Sequence, residues 1–213
     1  MMAWLYIGTF GSFVGYAAAF PLLQKTQFPE HAGRFAFLGP LVGSLARPLG
    51  GRVADRLGGA KVTFASFVMM ALATLCAVRA IDAHDFAAFL TTFIVLFVVS
   101  GAGNGSAFRM IPVLFKNEHI ARLKDDAPES REAALRSARI EGAAALGLVS
   151  AIGACGGYLI PRTFAASIEH TGSVHGALVS FLVFYGTCMA LTWGVYVVPR
   201  LEAGDARARR TES

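Results

Sequence analysis

The sequence predicts an all-α membrane protein of six transmembrane helices with both termini cytoplasmic. Three observations predict it. Of the 213 residues, 55% are hydrophobic and only 15% charged, whereas soluble domains carry roughly 25% charge. The apolar residues fall in long blocks, and a span needs about 20 of them to cross roughly 30 Å of hydrocarbon. Basic residues concentrate on alternate links between the blocks, the bias that marks cytoplasmic loops.

The first block covers about residues 2–23. It is too long for a signal-peptide core and has no basic segment before it, so it reads as a span. Gly11, Gly15 and Ala19 share one face of it at helical spacing. The second block, about 35–54, puts Gly39, Gly43 and Arg47 on one face, followed by Gly50 and Gly51. The third and fourth cover about 60–80 and 86–115. The fourth contains "GAGNGS", which is glycine-rich but lies inside an apolar block and so makes a poor nucleotide loop.

The link 116–140 is the one sizeable soluble stretch. Its bases are offset by Asp125, Asp126, Glu129 and Glu132. "PESREAALRSARIEGAAALG" has helical spacing and predicts a cytoplasmic helix running into the fifth block, about 141–161. That block carries Gly142, Gly147, Ser150, Gly153, Gly156 and Gly157. Small residues at helical spacing let membrane helices pack closely. The sixth block covers about 174–198 and completes a six-helix domain, 1–198. Residues 199–213 read as a disordered cytoplasmic tail.

The links after the first, third and fifth blocks hold Lys25, Arg34, Arg79 and Arg162. Those after the second and fourth hold Arg52, Arg56, Lys61, Lys116, Arg122, Lys124, Arg131, Arg136 and Arg139, and the tail adds four arginines. A net charge of +5 invites a nucleic-acid partner, but this distribution explains it as topology, and no nucleic-acid partner is expected. Cys76, Cys155 and Cys188 lie inside blocks, imply no disulfide framework, and are expected to be buried packing residues.

No nucleophile elbow, metal-ligand cluster or phosphate loop occurs, so neither an enzyme nor a cofactor or metal site is expected. Asp55, Asp82, Asp85 and Glu141 fall at block ends, and the five histidines lie in or beside links. A proton-coupled carrier usually needs an ionisable proton holder within the membrane. Here the blocks offer a cation instead. Arg47 lies well inside the second block, where an arginine near the bilayer centre costs roughly 2.5–3.5 kcal/mol on insertion scales.

Three partners for Arg47 fit. It could snorkel, being about 7.5 Å from Arg52 at the cytoplasmic edge. It could pair with another chain. Or it could hold an anion, since a guanidinium stays charged and presents a planar fork. Pro48 beside it frees the Ser44 carbonyl and predicts a bend. Arg109 lies about 9 Å from its block end, and snorkelling is its default.

"GGRVADRLGGAKVT" (Gly50–Thr63) resembles the loop signature of the major facilitator superfamily, with Gly51, Asp55, Arg56 and Gly58 on the signature positions. More narrowly, "WLYIGTFGSFVGYAAAFPLLQKTQFPE", "GPLVGSLARPLGGRVADRLGGAKVT", "GAGNGSAFRMIPVLF" and "AAALGLVSAIGACGGYLIP" resemble, in order, four spans of the C-terminal half of bacterial nitrate/nitrite porters. The resemblance covers nearly the whole chain. It implies half of a twelve-span bundle, a 3+3 inverted repeat, in the bacterial inner membrane. It implies Arg47 as a nitrate-binding arginine, with Tyr6 and Phe10 lining the substrate site. "SAIGACGGYLIP" matches a nitrate signature, which carries Ser150, Gly153, Gly156 and Gly157 into the site. The implied mechanism is alternating access, with nitrate and nitrite exchanged or co-transported.

The second arginine and the first nitrate signature of the family's other half are absent from this sequence. The expected partner is therefore a separately encoded N-terminal half, or a second copy in a homodimer. The competing expectation is a non-transporting remnant, or a membrane interaction or sensing subunit.

Overall fold

The computed structural model describes residues 1–123 and 127–197. The expected tail, 199–213, lies outside the described residues, as do Asp125 and Asp126 of the long link. Six long helices make up the fold, with no strand among the described residues. They are α1 (Met2–Gln27), α2 (Leu38–Leu57), α3 (Gly59–Asp82), α4 (Phe86–Ala121), α5 (Pro128–Thr171) and α6 (His175–Tyr196). Five of the six are long and apolar enough to cross a membrane. The exception is α2, where Arg47, Arg52, Asp55 and Arg56 within 20 residues lower the hydropathy.

Short connections make α2 antiparallel to α3 and α3 antiparallel to α4, so α2 and α4 run parallel along their contact. Gly58 alone separates α2 from α3, at φ 92°. An L side chain is strained at that angle, so glycine is needed there. Asp85 then caps α4, its carboxylate accepting a bond from the Ala88 N–H at 3.0 Å. Helix α2 runs through Pro48 without interruption. The 44 residues of α5 are broken only by a turn at Cys155. Helix α1 contains one π-helical turn, Ile7–Gly11.

Phe20 of α1 stacks on Phe93 of α4 at 5.2 Å, and Phe93 packs at a tilt against Phe89, one turn earlier on α4, at 4.7 Å. Beside them, α1 and α6 share a fully buried hydroxyl chain. The Tyr185 hydroxyl is 2.9 Å from Ser12 Oγ and 2.6 Å from the Tyr16 hydroxyl. Such groups are costly when unpaired in an apolar core, and this chain pairs them.

The cysteine expectation needs correction. Cys188 is buried, but Cys76 and Cys155 are exposed on the bundle surface. A membrane helix is apolar toward lipid as well as toward its core, so lying in an apolar block does not imply burial.

Candidate anion-binding site

The site begins with a seam between two helices. On α4, Gly101 faces the Gly43 backbone and Gly105 faces the Arg47 carbonyl; a Cβ at either position would overlap the opposing α2 backbone. The two main chains therefore touch, as small residues allow in membrane proteins. This contact carries Arg47 on α2 up to Asn104 on α4.

The Arg47 side chain is half-buried and turns inward. Its guanidinium carbon lies 5.4 Å from the Phe10 ring centre and 5.9 Å from that of Phe13, within cation–π range. Asn104 is fully buried. Its neighbours assign the amide: the oxygen accepts from Arg47 Nη2 at 2.9 Å and Nε at 3.0 Å, and the nitrogen donates to the Tyr6 hydroxyl at 3.2 Å. Ser150 Oγ on α5 donates to the same hydroxyl at 3.5 Å. The Tyr6 and Phe10 rings pack at 5.4 Å. Four helices thus contribute to one polar cluster around a cation. Among the described residues, no carboxylate pairs with Arg47.

Of the residues singled out in the sequence, Arg47, Tyr6, Phe10 and Ser150 come together here. Gly153 lies against the Tyr6 and Phe10 rings. Gly156 and Gly157 lie further along, on the packing seam between α5 and α1. A Cβ on Gly156 would run into the Gly11 backbone, and one on Gly157 would meet Val14. Glycines here let α1 and α5 approach closely.

Asn104 and Phe13 are the members that sequence reasoning misses. Asn104 sits inside "GAGNGS", whose glycines draw attention only as a poor nucleotide loop. A lone amide in an apolar span is itself a signal, because it must find partners there.

Of the loop-signature residues, Gly51, Asp55 and Arg56 occupy the last two turns of α2, and Gly58 ends it. Asp55 Oδ2 pairs with Arg109 Nη1 at 3.1 Å, and Gly51 provides the flat backbone beside the Arg109 side chain. The Arg109 side chain is 58% exposed on the bundle surface and forms half of this ion pair. Two further pairs link helices: His119 with Glu141 at 3.0 Å between α4 and α5, and His175 with Asp82 at 2.7 Å between α6 and α3.

Similarity to known proteins adds to this geometry. The chain is 44% identical over 200 residues to the nitrate/nitrite transporter NarU of Escherichia coli (strain K12), a match covering 92% of this chain and 43% of NarU. It is 33% identical over 204 residues to the probable nitrate/nitrite antiporter NarK2 of Thermus thermophilus, covering 92% of this chain and 41% of that protein. The chain is thus similar to bacterial proteins named as nitrate/nitrite transporters. It spans less than half the length of the relatives it matches. No family model matches the chain.

Proposed function

We propose that this chain forms one half, the C-terminal one, of a nitrate/nitrite carrier in the bacterial inner membrane. All six helices cross the bilayer in this reading, α2 included, because its charges are taken up inside the bundle or at its end. Both termini face the cytoplasm, following the bias in basic residues. Transport proceeds by alternating access of two six-helix halves, by exchange or symport. Arg47 supplies the attraction for the anion, Tyr6 and Phe10 line its path, and the Gly51–Gly58 signature controls the cytoplasmic end. The other half is a separately encoded N-terminal partner or a second copy of the chain.

The observation that carries this reading is Arg47 itself. It is turned into the bundle, bonded to a neutral amide and two aromatic faces, and left without a carboxylate among the described residues. An arginine in that state retains its charge for an anion, and its planar fork suits a planar oxyanion. The similarity to NarU names nitrate and nitrite.

Labelled nitrate uptake and exchange in proteoliposomes tests this, with the chain alone and with an N-terminal half added. Activity only with the added half supports the split carrier, and activity alone supports the homodimer. No transport and no nitrate binding in either preparation would refute the proposal and favour a non-transporting remnant.

A further inference from the structure

We infer that Asn104 is the positioning residue for Arg47, fixing which edge of the guanidinium meets the anion while leaving its charge unspent. The inference rests on the reading of Arg47 as an anion binder. A guanidinium offers two forks, one formed by Nε and Nη2 and one by Nη1 and Nη2. The Asn104 oxygen occupies the first, at 3.0 and 2.9 Å. Nη1 has no acceptor among the described residues. The second fork is therefore the one presented to an anion, and the side chain cannot rotate without losing two bonds.

The chemical identity of residue 104 matters as much as its place. Its oxygen accepts from Arg47 and its nitrogen donates to the Tyr6 hydroxyl, two tasks that a neutral primary amide performs together. Aspartate is the same size but would form a short ion pair with Arg47 and cancel the field that attracts an anion. The contact with Tyr6 would reverse, the phenol donating to the carboxylate. Asparagine thus satisfies the cation without neutralising it.

The experiment compares Asn104→Asp, Asn104→Ser and wild type in whichever assembly binds nitrate. Asn104→Asp should weaken nitrate binding about 100-fold or more, since a fixed carboxylate competes directly for the guanidinium. Asn104→Ser, which frees Arg47 without cancelling it, should weaken binding only about 10-fold. If both variants lower the thermal midpoint but bind nitrate as wild type does, or lose affinity equally, Asn104 is only a packing residue and the inference fails.

A second readout needs no nitrate. In the full chain in nanodiscs, NMR of the Arg47 Nε–Hε group should show a proton protected from exchange, released about 10-fold faster in Asn104→Ser. Equal exchange in the two proteins overturns the positioning role even where nitrate binds. Protection lost on substitution, in a wild type that binds no nitrate, supports the positioning role and refutes the proposed function instead.

Discussion

Replacing Arg47 by lysine keeps the charge and removes the fork. In the structure, Arg47 holds the Asn104 oxygen through Nε and Nη2 at 3.0 and 2.9 Å, with Nη1 left over. A lysine ammonium is a single nitrogen. It can approach Asn104 or an anion on the far side, but cannot bridge them in one plane. The substitution therefore forfeits at least one hydrogen bond to a charged group, about 1.5–3 kcal/mol. At 1.4 kcal/mol per factor of ten, nitrate affinity should fall roughly 10- to 150-fold. Isothermal titration of nitrate into the assembled carrier measures this directly, with Arg47→Ala as the control that abolishes binding. An Arg47→Lys protein within threefold of wild type would show that only charge matters at this position, and the fork argument would be wrong.

Other expectations follow from named contacts. Tyr185→Phe strands Ser12 and takes one partner from Tyr16, whereas Tyr16→Phe leaves the Ser12 bond in place. Thermal or denaturant unfolding in detergent should therefore show Tyr185→Phe as the more damaging by about 1–2 kcal/mol, and the reverse order would contradict the network. Gly105→Leu puts a side chain where the Arg47 carbonyl lies, and overpacking of this kind costs typically ~1–3 kcal/mol. It should lower the melting midpoint and weaken nitrate binding together, and a protein unchanged in both would show that the seam is looser than described. Asp55→Asn breaks a half-exposed pair, for which stability should change by no more than about 1 kcal/mol. Its effect on transport rate should shrink as salt is raised, and a salt-independent effect would point away from the Arg109 ion pair.

Much of this arrangement is legible in the amino-acid sequence. An arginine inside an apolar block, on the same face as Gly39 and Gly43, already implies a charge held at a close helix contact. Tyr6, Phe10 and Ser150 need the family resemblance, since aromatic and hydroxyl residues at helical spacing fit ordinary packing equally well. Asn104 is hidden by its neighbours: the glycines around it suggest a loop, whereas Gly101 and Gly105 let α4 press against α2 and bring the amide to Arg47, and Gly103 faces Ser66 on α3 and Thr9 on α1. The Asp55–Arg109 pair joins residues 54 positions apart, and nothing in a single sequence signals which helices will adjoin. The exposure of Cys76 and Cys155 shows a limit of apolar patterning, because a helix in lipid is apolar on both its faces.

The same geometry sets stability against function, which gives a sharper test of why the charge is there. A half-buried cation that only solidified the fold would be poorly chosen, because replacing buried polar clusters by well-packed apolar residues is often neutral or stabilising. Arg47→Met alone should destabilise, since it leaves the Asn104 oxygen without a donor in the interior. Adding Asn104→Leu removes that orphan, and Tyr6 keeps Ser150 as a partner. Without anion, the double variant should therefore melt at or above wild type. The two proteins should part when nitrate is added. A ligand that binds only the folded state stabilises it by about 2.7 kcal/mol at a hundred times its Kd, so wild type should gain several degrees while the double variant gains none. If instead the double variant melts well below wild type without nitrate, Arg47 is a structural element of the bundle, and its unpaired charge needs another explanation than an anion.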